Sequence, residues 1–594
     1  MILHFVASKY SPMNTSLSSL LQQHGTWDVL TAFLCSAIVI GVVVSVLNYI
    51  FTISKYHYTQ QSDAKAQLPP LYPSIIPVLG HLISFVWDNA GFFRRTTLYN
   101  GQFTSTRLSF FGYEVYLFQD RETIKKIWKT PTLSSPMSIQ IYCLKYLFGL
   151  SERALAIYRA DDSGPHAKAY PGSNVPDDKR IDYTTHHEFL RALSGPGLNP
   201  ALQRYATAFT AHIDHFPLPN GSTGWNLIGD FQDFFFKTMG ASLIESLFGP
   251  SLLRLSPSFV NDLIEFDNNV PWLARGLPSF TMPKPYRIRS RLHEKIKNWH
   301  SYARGNFDEA GVYDGDGDVF WGSKLIRNRH AILHAAGQTD NDIAASDLGL
   351  AFGLVTNTNP TAMMAAWHIF KDPQLLRRVR AELDDMFGGE SIRSIDPKEL
   401  SKAPLLCSIY AEVLRIYVKI YVMVNSQQDD IPLGRWKLPK GKIGLLNSCL
   451  SHMDPEFWNT KGGLHPVESF WADRFLIDPS DPLSGPINPS LETRPRQSDK
   501  KSRGKPFFSV EGLDSSWFPY GGGYSVCPGR HLAKFAIIYA CAVLVNEFDI
   551  EFLTDKLEFD SWRFGLGMQV PKNDIPFRIR KRQERTKTTI QENR

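Results

Sequence analysis

Several things are scarce in this chain of 594 residues, and each scarcity narrows what it can be. Its six cysteines (Cys35, Cys143, Cys407, Cys449, Cys527 and Cys541) are scattered, with no CxxC pair and no spacing of a disulfide framework. That usage fits a reducing compartment, where a thiol stays free for chemistry. An excess of one charge is also missing. The 64 Lys and Arg stand against 58 Asp and Glu, a formal +6, which excludes a strongly basic nucleic-acid binder. No repeat period shows along the chain. Short glycine matches such as Phe564–Gly567 lack the strand-then-helix setting of a dinucleotide fold, so no flavin or nicotinamide site is expected. What is plentiful is apolar surface: 43% hydrophobic and 13% aromatic residues, the composition of a well-filled globular core.

Charge is absent altogether from Val29 to Ser54, a run long enough to cross a bilayer, which takes about 20 apolar residues. The run is too long and starts too far in for a cleaved signal peptide, and it lacks the polar face of a core helix. It reads as a single transmembrane anchor over 29–54, behind a short lumenal segment, 1–28, that carries the sequon Asn14-Thr15-Ser16. Lys55 and Lys65 place the body on the cytosolic side. Prolines at 69, 70, 73 and 77 make 55–80 a stiff extended connector. Amphipathic helical stretches dominate beyond it, among them Ala201–Phe216, Trp225–Phe248, Tyr286–Arg304, Ser346–Phe370, Lys398–Lys419 and Arg530–Phe548. Strand-like runs are shorter, such as Tyr113–Phe118 and Asp574–Arg580. Residues 81–580 thus read as one mainly α domain with minor β and no internal boundary. Loop insertions fall at about 160–179 and 480–512, and a basic tail follows at 581–594.

Tyr520–Phe535 reads YGGGYSVCPGRHLAKF: three glycines, one thiol, and a helix start directly behind it. A thiolate that ligates a haem iron must come close beneath a flat macrocycle, and glycines at 521, 522, 523 and 529 would keep side chains out of its way. The amino end of the following helix would stabilise the anionic sulfur. Thiolate ligation in turn favours O–O cleavage. A structural cysteine in a glycine turn is the bland alternative.

GGGYSVCPGR resembles the cysteine loop of the cytochrome P-450 family of haem-thiolate enzymes, whose pattern is Phe-x-x-Gly-x-Arg-x-Cys-x-Gly. Tyr520, Gly523, Cys527 and Gly529 match it, and Ser525 stands where an arginine usually meets a haem propionate. The resemblance implies a P-450-type haem-thiolate domain that binds haem b through Cys527. It also implies a Glu412-x-x-Arg415 pair closed by Arg474 into a structural cluster. In YTTHHEFLRALSG it implies propionate donors at His187 and Arg191.

The stretch LGLAFGLVTNTNPTAMMAAWHIFKDP is similar to the family's long distal helix, where an acid and a threonine relay protons. Here the acid position falls on Thr356 and the first threonine on Asn357, with Thr358 following and Pro360 kinking the helix. That departure resembles the branch holding sterol 7α- and 12α-hydroxylases and prostacyclin synthase, and the loops look like a fungal-type biosynthetic member. The implied activity is membrane-anchored monooxygenation of a hydrophobic polycycle (sterol, terpenoid or other secondary metabolite) at the endoplasmic reticulum, with electrons from an NADPH-cytochrome reductase. Lys534, Arg377, Arg378 and Arg380 are candidates for that docking face, and Leu348 and Phe352 for the substrate pocket. Two other readings stay open: a redox-partner-independent isomerase or dehydratase of the prostacyclin-synthase type, and a non-catalytic haem-binding membrane protein.

Overall fold

The structure, a computed structural model, describes residues 26–76, 79–221, 223–491, 504–559 and 565–583. The sequon at Asn14 and nearly all of the basic tail lie outside them. The chain divides into two compact units: residues up to Phe118 with Ile431–Leu438, and Gln119–Asp430 with Pro439 onward. The sequence shows no such boundary because the first unit borrows a strand pair from more than 300 residues away.

In the first unit, helix α1 (Thr26–Gln61) includes a segment, Leu30–Gln61, that is long and apolar enough to cross a membrane. The helix does not stop where the apolar run ends at Ser54. Its last turns are packed: Tyr56 and Gln60 are buried, and the Gln60 amide donates to the Ser105 carbonyl at 3.2 Å and accepts from the Thr104 hydroxyl at 2.9 Å. Residues 55–61 are therefore helix, and only the proline-rich part beyond them is extended, with Gln67 bridging to Trp436 and Leu71 to Arg107. Strands β1 (Thr106–Phe110) and β2 (Tyr113–Leu117) form a hairpin. Its turn residues Phe111 and Gly112 both have positive φ, the geometry that matches strand twist.

The second unit is mostly helical. Its helices used below are α2 (Arg121–Lys129), α3 (Glu152–Ala160), α4 (Ile181–Leu193), α5 (Leu198–Asp214), α6 (Ala241–Phe248), α7 (Phe259–Leu273), α8 (Pro283–Asn306), α9 (Lys324–Ala335), α10 (Asp340–Val355), α11 (Thr358–Lys371), α12 (Pro373–Phe387), α13 (Pro404–Tyr417) and α14 (Arg530–Glu547). Strands β3 (Asn226–Ile228), β4 (Val418–Asn425), β5 (Ile443–Asn447), β6 (Phe548–Phe552), β7 (Leu566–Met568) and β8 (Phe577–Lys581) form two antiparallel groups, ordered β6-β8-β3 and β7-β4-β5. Helix α14 is the centre of the core. Ala536 through Val545 are all buried, as an all-round apolar helix must be, and α5, α11 and α13 pack around it.

Two expectations change. The stretch Ser346–Phe370 is not one helix: α10 opens with a capping box between Thr339 and Asp342, ends at Val355, and α11 restarts at Thr358. Pro360 lacks the N–H that would bind the Thr356 carbonyl, which is why the break falls there. The insertion at 160–179 is a loop, but a built one. Buried Arg180 donates to the Ser163 hydroxyl at 3.1 Å and to the carbonyls of Ala167 (2.7 Å) and His166. Asp161 accepts from the Ser163 hydroxyl at 2.6 Å and the Asp182 N–H at 3.0 Å.

Glu412, Arg415 and Arg474 meet as the sequence implies, and all three are fully buried. Glu412 accepts from Arg415 Nε at 2.7 Å, Arg474 Nε at 3.0 Å and the Trp471 N–H at 3.2 Å. Burial alone would raise the Glu412 carboxyl, but the two guanidinium groups override it and hold it below the usual carboxylate range. The second positive charge is spread over carbonyls, including His452 at 2.8 Å from Arg415.

Removing one partner of a buried charge cluster strands the rest, at about 3–5 kcal/mol. Glu412→Ala should therefore lower the urea midpoint and the yield of folded protein, whereas Arg378→Ala, which breaks an exposed pair with Asp473, should do neither measurably. The Asp182 carboxyl is held at about 6, first by burial and then by the charge of Asp161. The folded chain keeps this proton more tightly than an unfolded one. The stability it contributes is full below about pH 4 and lost as pH rises through 6. Asp182→Asn should raise stability at pH 7 and flatten the unfolding profile between those limits, read by thermal melts across pH.

Candidate active site

The Tyr520–Arg530 segment is held from two sides. The backbone N–H of Cys527 donates to the Tyr520 carbonyl at 2.8 Å, closing the loop behind the thiol. Under the glycine run lies Trp128 of α2, whose indole N–H donates to the Asp514 carbonyl at 2.8 Å. A Cβ at Gly522 would stand 2.6 Å from that indole, and Gly523 has a φ of +56°. With Gly521 also at a φ of +73°, three of the four glycines are explained by Trp128 and the backbone turn rather than by room for a macrocycle. Gly529 is the exception: a Cβ there would lie 3.7 Å from Cys527 Sγ and meet nothing closer. The protein itself leaves that space open.

The Cys527 side chain is exposed, and what it faces is a cavity of about 820 Å³. The cysteine loop and the first turn of α14 form one wall, with Tyr520, Gly521, Ser525, Pro528, Gly529, Leu532 and Ala533. The opposing stripe comes from α10 and α11: Ser346, Gly349, Leu350, Gly353, Leu354, Asn357, Thr358 and Thr361. Strand β4 adds Ile420 to Met423. A Cβ at Gly353 would find nothing within 4 Å, so glycine there also keeps the space clear. The sulfur lies deep enough that burial pushes its thiol pKa up, while the Gly529 N–H and the charge of Arg530 pull it down. Cys143 also lines the cavity, but burial raises its thiol with nothing to offset it. Cys527, with a helix amino end behind it and glycines on both sides, is the thiol of this apolar cavity that fits a flat haem.

The other expected site residues divide. Asn357 and Thr358 line the cavity. Asn357 Oδ1 accepts the Met568 N–H of β7 at 2.9 Å, which leaves the amide N–H groups without a partner in that contact. Thr356 is turned away: it is buried, and its hydroxyl donates to the Phe352 carbonyl at 2.8 Å. Leu348 is fully buried core, and Phe352 packs against Phe148 and Phe266. Neither lines the cavity. The cavity stripe of α10 runs instead through the neighbouring positions Gly349, Leu350, Gly353 and Leu354. The face differs on α4 as well. Thr185, Phe189 and Leu193 line the cavity, whereas His187 is exposed and Arg191 is paired with Glu188 (2.9 Å) and Asp316 (3.4 Å). Two positions turn a helix by roughly 200°, which carries His187 and Arg191 to the far side. Neither is placed to hold a propionate.

The edge of the cysteine loop is neutral instead. Ser135 donates to Ser525, oxygen to oxygen, at 3.2 Å. Tyr524 donates to the Pro165 carbonyl at 2.8 Å and lies between the rings of His166 (4.0 Å) and His186 (5.4 Å). The 160–179 insertion is therefore fastened to the cysteine loop, a role no motif in the sequence announces. Trp128 and Tyr524 were both missed, because each acts across more than 350 residues of sequence. Of the cations read as a docking face, Arg378 is paired with Asp473 at 2.5 Å and Arg380 with Asp549 at 3.0 Å. Arg377 and Lys534 make no ion pair among the described residues.

Comparison with known proteins agrees with this geometry. The family model for cytochrome P450 matches residues 259–577. Cytochrome P450 monooxygenase efuG of Hormonema carpetanum is 31% identical over 94% of this chain and 97% of its own length. Cytochrome P450 monooxygenase fsoE of Humicola fuscoatra is 28% identical over 96% and 99%. A cholesterol 7-alpha-monooxygenase of Cricetulus griseus is 22% identical over 87% and 94%. Among solved structures, that of a cytochrome P450 (CYP102L1) superposes with a TM-score of 0.56 at 15% identity, covering 87% of this chain and all of that one, a likeness of fold. With a matching family model, full-length relatives and the Cys527 loop facing an apolar slot, the chain belongs to the cytochrome P450 family of haem-thiolate oxidoreductases.

Proposed function

We propose that this P450 is a membrane-anchored monooxygenase of the endoplasmic reticulum that oxidises a hydrophobic polycyclic substrate, a sterol, terpenoid or related secondary metabolite. Its co-substrate is O2 and its electrons come from an NADPH-cytochrome reductase. The observation that carries this is that Cys527 opens into one largely apolar cavity that Asn357 and Thr358 also line. The fungal relatives named above as monooxygenases, matched over almost their whole lengths, support the reaction class. The apolar segment Leu30–Gln61 supports the membrane setting.

Haem held through Cys527 supplies the oxygen-activating chemistry, and the thiolate favours O–O cleavage. The chain's own groups do the rest. Leu350, Leu354, Leu243, Leu247 and Phe148 give the cavity an apolar wall that takes a hydrocarbon skeleton and excludes bulk water. No carboxylate lines the cavity among the described residues, so protons travel by way of water held between the Asn357 amide N–H groups and the Thr358 hydroxyl. Because Asn357 Oδ1 is tied to Met568, that amide is oriented before substrate binds. Arg377 and Lys534 are the remaining cations for reductase docking.

Cys527→Ala should abolish the red-shifted Soret band of the reduced CO complex, the signature of thiolate ligation. Persistence of that band would name another ligand. Asn357→Ala should lower turnover by about a hundredfold at unchanged haem content. Equal loss of haem and turnover would make Asn357 purely structural. Turnover should require NADPH, reductase and O2 together. Product formation without them would replace the oxygenase reading by an isomerase or dehydratase, in keeping with the missing acid.

A further inference from the structure

The cavity wall contains one charged side chain among the described residues, Arg329 of α9. It is only 5% exposed. Its terminal NH1 reaches Asp347 Oδ1 at 3.4 Å, the other Asp347 oxygen faces His300 Nε2 at 3.0 Å, and the guanidinium lies over the Phe189 ring at 5.1 Å. Arg329 Nε has no partner. Nε is sealed from the cavity as well as unpartnered, so the guanidinium can meet a ligand only through its terminal nitrogens, and a charged donor group in an otherwise uncharged, largely apolar wall favours an acceptor in whatever fills the cavity. Ser346, the residue next to Asp347, lines the same cavity and is 6% exposed.

Two features define the group that belongs there. Asp347 already balances the charge of Arg329, so a second carboxylate would leave the corner with an excess negative charge, whereas a neutral acceptor adds none. Ser346 lies three helical turns from the break at Thr356–Asn357, about 15 Å at 1.5 Å per residue. That is comparable to the length of a fused polycyclic skeleton. The geometry points to a substrate subsite in which Arg329 and Ser346 hold a neutral oxygen, a hydroxyl or ketone, at the end of the polycycle remote from the carbon that is oxidised. The inference rests on the monooxygenase reading and specifies its substrate: an already oxygenated polycycle, not a bare hydrocarbon. Its place in a reaction sequence is therefore after an oxygen-introducing step such as oxidative cyclisation.

The test uses full-length, haem-loaded protein titrated with paired probes: cholesterol, cholestenone and cholestane, and lupeol with lupane. The binding-induced Soret shift gives each Kd. Oxygenated members of at least one skeleton should bind about tenfold to a hundredfold more tightly than the hydrocarbon, the worth of a hydrogen bond to a charged donor. Arg329→Met should erase that preference. Ser346→Ala, which leaves the Arg329–Asp347 pair intact, should reduce it severalfold, and it keeps the test readable if Arg329→Met folds poorly. Equal binding of every pair, no binding of any probe, or a preference untouched by both substitutions would overturn the subsite. The reduced-CO Soret band is recorded on the same samples. Its absence in the unsubstituted protein would instead overturn the haem-thiolate reading.

Discussion

The structure depends on keeping one sulfur anionic when bound, yet accessible, at the floor of an apolar cavity. Burial works against the charged form of Cys527, and no cation in the cavity wall offsets it there. The offset comes from behind: the Gly529 N–H, the amino end of α14 and Arg530 all act from the far side of the loop. This requires α14 to start immediately after the thiol and to stay fixed, which its burial from Ala536 to Val545 ensures. Trp128 and Tyr524 then pin the loop's backbone and its flank.

Charge elsewhere in the second unit follows the same rule. Glu412, Arg415 and Arg474 are fully buried, satisfy one another and nearby carbonyls, and stay away from the cavity. Arg191 pairs with Glu188 and Asp316, although its second terminal nitrogen is left buried without a partner. With serine at 525 and no cation of α4 facing inward, the cavity near the cysteine loop offers hydroxyls and amides rather than guanidinium groups. Arg329 departs from this rule, as the one charged side chain in the cavity wall among the described residues.

The break between α10 and α11 does two jobs at once. It frees the Asn357 side chain from helix geometry so that Oδ1 can reach the β7 backbone, and it turns the amide N–H groups toward the cavity. Gly567, where a Cβ would stand 2.3 Å from Oδ1, must lack a side chain for that contact to exist. Residues 211 apart in sequence are thereby set by one hydrogen bond.

The amino-acid sequence by itself determined the apolar span, the mainly helical body, the thiol and its loop, the Glu412–Arg415 pair and the irregularity of the distal helix near Pro360. Each is written in local terms: an uncharged run, a glycine-and-proline signature, a spacing of three, an imino acid. Tertiary packing alone decided which face of α4 and α10 meets the cavity, because apolar residues on both sides of a buried helix leave its rotation undefined. It also decided the pairing of Asn357 with Met568, the seating of the glycine run on Trp128, and the boundary that joins Ile431–Leu438 to the first unit. All of these are contacts between segments hundreds of residues apart, and no local pattern encodes them.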